Sequence, residues 1–100
     1  MVKHIVSWKF KPEVSAEERV QVAAEFEERL RAVKEAAEGV LEVKVVAPPL
    51  STSTVDVVLD STFVSVEALA AYQVHPDHVA AGAACVKPYM TDRTCCDYEV

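Results

Sequence analysis

The 100 residues are enough for one domain, residues 1–100, with a single modest core. The hydrophobic fraction of 51% argues against disorder, and the net charge of -6 comes without the lysine and arginine cluster that binds nucleic acids. The chain has no apolar run long enough to span a membrane and no apolar leader. We therefore expect a cytoplasmic protein that binds neither nucleic acid nor membrane.

The first segment, Val2–Phe10, alternates in the way that is typical of a strand with one buried face. His4 is the one ionisable side chain on that face, where a histidine is more often a satisfied core residue than a catalyst. Trp8 lies on the same face and either fills the core or forms the wall of a pocket. In both cases its indole N–H needs a hydrogen-bond partner.

A long helix is predicted after Pro12. Ser15 and Glu18 have the spacing of a capping box, and Gly39 is a suitable residue just beyond the C-terminus, so the helix should end at about Glu38. The residues that are apolar at helical spacing should form its buried stripe; they are Val20, Ala23, Ala24, Phe26, Leu30, Val33 and Ala37.

Two further strands are predicted, over 40–47 and 55–63, with the proline-containing loop 48–54 between them. After a small-residue helix that ends at Pro88, a last strand is predicted over 94–100. The small side chains of residues 79–86 either let that helix lie close to the sheet or leave a cavity beneath it. The three cysteines contain no C-x-x-C pair, so we expect free, mostly buried thiols and no zinc site built from them.

The most informative segment is residues 72–78, which follow a helix capped by Ser65. Pro76 should end that helix near His75 and begin another. His78 then lies in a first helical turn, where the positive end of the helix dipole favours the neutral imidazole that a general base needs. The structural alternative is that Tyr72 and His75 only pack against and cap the junction.

The predicted order is βαββαβ with the second helix split, which is the ferredoxin-like α+β fold: a four-stranded antiparallel sheet with its helices on one face. The other sheet face would carry Ile5 and Val58 without cover. Pairing two such faces in a homodimer would bury them.

Four segments resemble the stress-responsive dimeric A/B-barrel (Dabb) family, and the resemblance covers the whole chain: residues 2–6, 65–67, 72–78 and 97–98. The family includes plant stress-induced proteins and olivetolic acid cyclase. The resemblance implies a fold dimerised into an α/β barrel. It also implies a pocket for a small hydrophobic or carbonyl-containing ligand between sheet and helices, with no cofactor and no metal.

The resemblance also implies site residues. The matching tyrosine and histidine of the cyclase act together in proton transfer, and they correspond here to Tyr72 and His78. We expect further residues to contact the ligand: His4, Val6, Trp8, Val57, Leu59, His75 and Gly82. The chain departs from the cyclase at Val57, where the cyclase has a histidine, in the small residues 81–84, and on the last strand, which brings Arg93, Cys95 and Asp97 to one face.

Three functions remain open from the sequence. The first is an uncharacterised stress-responsive barrel protein that binds a small molecule without turnover. The second is a cofactor-free proton-transfer enzyme, such as an aldol-type polyketide cyclase, in which Tyr72 hydrogen-bonds a carbonyl and His78 removes a proton. The third is a cofactor-independent monooxygenase or a metal- or haem-using relative, for which His75 and His78 would be the candidate ligands.

Overall fold

The computed structural model describes residues 1–100. Four strands and three α-helices follow the predicted order, with a short π-helical segment before the last strand. In chain order they are β1 (Val2–Phe10), α1 (Ala16–Ala36), β2 (Val40–Val46), β3 (Val57–Phe63), α2 (Val66–Val74), α3 (Pro76–Ala81), the π-helical segment (Gly82–Val86) and β4 (Met90–Glu99).

The strands form one antiparallel sheet in the order β2-β3-β1-β4, so the chain's first strand is central. The pairing register places His4 between Ser61 of β3 and Asp97 of β4. All three helices cover the face that carries the even residues of β1. The predicted ferredoxin-like α+β fold is confirmed, and none of its helices has both the length and the apolar character needed to cross a bilayer.

The core lies between the sheet and α1 and α2. Leu30 and Val33 from α1 meet Phe63 from β3, and all three side chains are fully buried. Each buried side chain of this size stabilises the fold by about 1.5–3 kcal/mol relative to exposure. The core thus fixes the helices over β1, β2 and β3, while β4 lies at an edge of the sheet without an α-helix packed on it.

Helix α1 begins as predicted and ends earlier. The Glu18 N–H donates to Ser15 Oγ at 3.1 Å, and Ser15 N–H donates to Glu18 Oε1 at 3.2 Å, which completes the capping box. The last helical residue is Ala36 rather than Glu38. The predicted stripe is wrong at Val20, which is 69% exposed, and at Ala24, because Val22 takes the core position one turn before Phe26.

Strand β4 differs most from prediction. It begins at Met90 rather than Thr94, and all its later residues are exposed because no helix extends over this edge. Of the cysteines, which are all free, only Cys85 is buried, so the expectation of mostly buried thiols is wrong for Cys95 and Cys96. On the sheet face without helices, Ile5 and Val58 are partly exposed.

Candidate ligand-binding site

A cavity of about 240 Å³ lies between the sheet and the helices. Its wall is mostly apolar and takes residues from β1, β3, β4, all three helices and the π-helical segment. The lining residues are His4, Val6, Trp8, Phe26, Leu59, Gln73, His78, Val79, Gly82, Ala83, Val86, Lys87 and Arg93. π-Helical segments occur frequently at functional sites, and here the segment forms one wall.

The structure brings most of the predicted site residues to this cavity. Those that line it are His4, Val6, Trp8, Leu59, His78 and Gly82. Val57 and Tyr72 do not line it and are fully buried. His75 is also outside it: its Nδ1 accepts the Asp77 N–H at 3.1 Å, which makes it the N-cap of α3. A role for each predicted residue in ligand binding stays a prediction.

Tyr72 and His78 are in direct contact, as their shared segment suggested. Their ring centroids are 4.5 Å apart, and the Tyr72 ring also packs edge-on against Phe63 at 4.9 Å. The Tyr72 hydroxyl is buried without a hydrogen-bond partner. Burial raises the pKa of Tyr72 far above its ordinary value, so the phenol keeps its proton throughout the physiological range.

His78 combines partial burial with a free ring nitrogen. Burial is the main cause that lowers its pKa, and electrostatic interaction with Arg93 lowers it further, whereas a hydrogen bond to the Gln73 backbone acts in the opposite direction. His78 is therefore neutral at pH 7. Its Nδ1 is buried without a partner, and so is Nε1 of Trp8. Buried polar atoms without partners are unfavourable, and both of these residues line the cavity.

His4 is held from two sides within the sheet. Its Nδ1–H donates to Asp97 Oδ1 at 2.5 Å, and its backbone carbonyl accepts the Ser61 hydroxyl at 2.8 Å. His4 is only 2% exposed. Burial is the largest influence on the pKa of Asp97 and acts to raise it, but the interactions with His4, Cys95 and Arg93 together outweigh burial, so the pKa of Asp97 is lowered. The pair orients the imidazole beside the cavity.

One group of side chains has donor atoms close enough for a metal ion. His4 Nδ1, Cys95 Sγ and Asp97 Oδ1 all lie within 4.8 Å of one another. Nitrogen, sulfur and carboxylate oxygen are ligands that zinc accepts. Arg93 opposes a cation here, because its positive charge acts on both Cys95 and Asp97. The other pair considered, His75 and His78, is divided between a helix cap and the cavity.

Comparison with protein families identifies the chain. The model of the Dabb family, the stress-responsive A/B barrel domain, matches residues 2–100. The chain belongs to this family. The family predicted from the four segments is thus confirmed, while a search of the curated proteins found no match.

Solved structures agree with this A/B barrel domain. A structure described as a dimeric protein of unknown function with a ferredoxin-like fold, from Bacteroides fragilis, is 31% identical and has a TM-score of 0.89, with 99% of this chain and 95% of that one covered. Hydroxynitrile lyase from Passiflora edulis is 19% identical with a TM-score of 0.73, covering 97% and 90% of the two chains. An antibiotic biosynthesis monooxygenase is 15% identical with a TM-score of 0.73, covering 100% and 98%.

Several residues that line the cavity of this domain were not predicted as site residues. They are Phe26, Gln73, Val79, Ala83, Val86, Lys87 and Arg93. The run of small residues signalled that a cavity was possible here. No local pattern indicated that Lys87 and Arg93, from separate segments, meet at the same opening, because this depends on where β4 pairs with β1.

Proposed function

We propose that this A/B barrel domain binds a small, largely apolar compound with a carbonyl group in the cavity between sheet and helices. The observation that carries the proposal is the pair of buried, unpartnered ring nitrogens, Trp8 Nε1 and His78 Nδ1, in residues that line a mostly apolar cavity. An indole N–H donates a hydrogen bond, which suits a carbonyl oxygen. Apolar walls with a few polar groups are typical of small-molecule sites.

A second candidate function, proton transfer without a cofactor, is favoured by the state of His78. A neutral imidazole beside a bound ketone can take a proton from the carbon next to the carbonyl. The Trp8 N–H would then stabilise the negative charge that develops on the carbonyl oxygen. Tyr72 does not line the cavity, so we assign it the support of the His78 ring rather than contact with the ligand.

The names of two similar structures are compatible with this chemistry. A hydroxynitrile lyase and an antibiotic biosynthesis monooxygenase share the fold at identities that support nothing beyond the fold itself. A cofactor-independent monooxygenase therefore remains an alternative. The cavity contains no residue pattern that favours it over proton transfer.

We also propose that the domain acts as a homodimer. The Bacteroides fragilis relative is described as dimeric. The partly exposed Ile5 and Val58 on the helix-free face of the sheet supply apolar surface for such an interface.

The ketone 1-indanone tests binding and proton transfer together. Trp8 is the only tryptophan of the chain, so saturable quenching of its emission reports occupancy of the cavity. Gly82→Leu should remove this quenching, since a Cβ at Gly82 has no neighbour within 4 Å and a larger side chain there would extend into the cavity. Linear quenching that is equal in both proteins would contradict the binding proposal.

Exchange of the α-protons of 1-indanone in D₂O, followed by NMR, tests the role of His78. The wild-type protein should accelerate exchange by roughly 100-fold or more, and His78→Gln should abolish the acceleration. Tyr72→Phe should retain most of it, because the ring contact with His78 remains. His75→Asn is the matched control, since asparagine keeps the N-cap. Exchange that persists in His78→Gln would exclude His78 as the base.

A further inference from the structure

The charges around the cavity are all of one sign. The chain contains 16 acidic residues against 10 lysines and arginines. None of those acidic residues is among the 13 that line the cavity, whereas Lys87 and Arg93 both line it. An acidic chain thus places cationic side chains, and no acidic ones, around this cavity.

Neither of these two cations has an acidic partner within the chain. Lys87 and Arg93 take part in no ion pair, although five other lysines and arginines do, namely Lys3, Lys9, Arg19, Arg29 and Arg31. Both side chains are exposed at the opening. A third cation is close, because Lys11 Nζ donates to the Lys87 carbonyl at 3.0 Å.

The acidic group that is paired with the cavity residue His4 is already engaged. Asp97 accepts the hydrogen bond from His4 at 2.5 Å, and it lies outside the cavity wall. Arg93 acts on Asp97 only through its charge, which contributes to lowering the pKa of Asp97. The guanidinium interacts with Cys95 through its charge and a side-chain hydrogen bond. It has five N–H donors in all, so others remain for a ligand, and their arrangement matches the planar shape of a carboxylate.

We propose that the ligand is a small organic carboxylate, with its apolar body in the cavity and its carboxylate between Lys87 and Arg93. This inference rests on the proposed binding function and adds the charge of the ligand to it. The carbonyl-bearing end would face Trp8 and His78, and the carboxylate would lie at the opening. The mostly apolar wall favours such a ligand over inorganic anions, because inorganic anions have no apolar body to bury.

The test compares two probes of nearly equal shape, the anion 4-iodobenzoate and the neutral 4-iodobenzamide. Each quenches Trp8 emission through its iodine when it occupies the cavity. The wild-type protein should bind the benzoate about tenfold more tightly than the benzamide, as expected for hydrogen bonds to a charged group. Inorganic phosphate at equal concentration should not displace the benzoate.

Three variants each remove one positive charge: Arg93→Gln, Lys87→Gln and the control Lys34→Gln. Lys34 is exposed in the last turn of α1, outside the cavity. The first two variants should each lose about tenfold in benzoate affinity and keep their benzamide affinity. The Lys34 variant should bind both probes as the wild type does. Thermal melts should show that all three variants are folded.

Each opposite outcome has a distinct meaning. Equal affinity for both probes in the wild type would overturn the carboxylate proposal and leave binding in the cavity intact. An equal loss in the Lys34 variant would show a general charge effect and would also overturn it. Displacement of the benzoate by phosphate would mean that the opening binds any anion. Saturable quenching by neither probe would overturn this proposal, whereas the proposed binding function itself would fall only if 1-indanone also failed to give saturable quenching.

Discussion

His78 and His75 lie three residues apart and have different environments. His75 is the N-cap of α3 and its Nδ1 accepts a backbone hydrogen bond. His78 is half-buried against Tyr72, with an unpartnered Nδ1, and burial is the main cause of its lowered pKa. The helix dipole, which suggested a neutral His78 from sequence, acts in the same direction as burial.

This difference predicts that the stability of the fold depends on pH through the titration of His78. The pKa of His78 is 6.5 in an ordinary environment and lower in the folded chain. Between these two values the unfolded chain binds more protons than the folded one, so stability rises with pH there. The free energy of unfolding should therefore fall as the pH drops below about 6.5.

Urea unfolding between about pH 8 and pH 5 measures this effect. His78→Gln should flatten the decline, and His75→Asn should leave it unchanged. The lowered pKa of Asp97 adds a further loss, but only in the more acidic range near its ordinary value of 3.8. A decline of the same slope in His78→Gln would show that another group is responsible.

At the scale of elements, the two glycines of the chain have opposite surroundings. Gly39, between α1 and β2, has a φ of +80°, and a Cβ there would be 2.7 Å from the Ala68 Cβ and 2.8 Å from Val64 Cγ2. Gly39 therefore permits close approach of the α1–β2 connection to α2. Gly82 has helical dihedral angles, φ -62° and ψ -42°, and no atom within 4 Å of its Cβ position.

Alanine at these two positions should change stability in opposite directions. Gly39→Ala should lower the free energy of unfolding by at least about 1–2 kcal/mol, because the left-handed backbone and the contact with Ala68 are both unfavourable for a side chain. Gly82→Ala should raise it by up to about 1 kcal/mol through helix propensity. Thermal melts of both variants test this, and a Gly39→Ala protein as stable as the wild type would contradict the structure of this connection.

For the whole molecule, the sheet has one face covered by helices and one face without cover. Ile5 and Val58 are neighbours of Ser7 and Asp60 on the open face, so this surface is mixed rather than wholly apolar. A dimer formed through it should bury roughly 1,200–2,000 Å² in total. Polar residues among the apolar ones would fix how the two sheets align.

Sedimentation equilibrium tests this assembly. The wild-type protein should have about twice the chain mass of 10.9 kDa. Ile5→Glu should give a monomer, because it places a charge in the proposed interface. Val66→Glu, on the exposed side of α2, is the control and should stay dimeric. A wild-type monomer, or a dimer that persists in Ile5→Glu, would exclude the open face as the interface.

The sequence by itself determined the features that depend on neighbouring residues. The alternation of β1, the capping box at Ser15 and the helix break at Pro76 each follow from local backbone and side-chain chemistry, so they could be predicted from a few adjacent positions. The order of the predicted elements indicated the ferredoxin-like fold, and the segments that resemble the Dabb family implied the dimeric barrel and its pocket. The buried stripe of α1 was predicted only in part, because small alanines and valines fit several faces of a helix. The packing of α1 in the folded chain buries Val22 and leaves Val20 exposed.

Only the tertiary structure decided what the cavity contains. His4 and Asp97 are separated by 93 positions, and the register between β1 and β4 brings them to 2.5 Å. The same register places Arg93 beside the cavity, where Lys87 arrives from another segment. Tyr72 packs against His78 on the side away from the cavity, because its ring is buried in the core against Phe63. Such positions depend on long-range pairing and packing, since the residues next to each side chain in sequence do not determine which distant surface it meets.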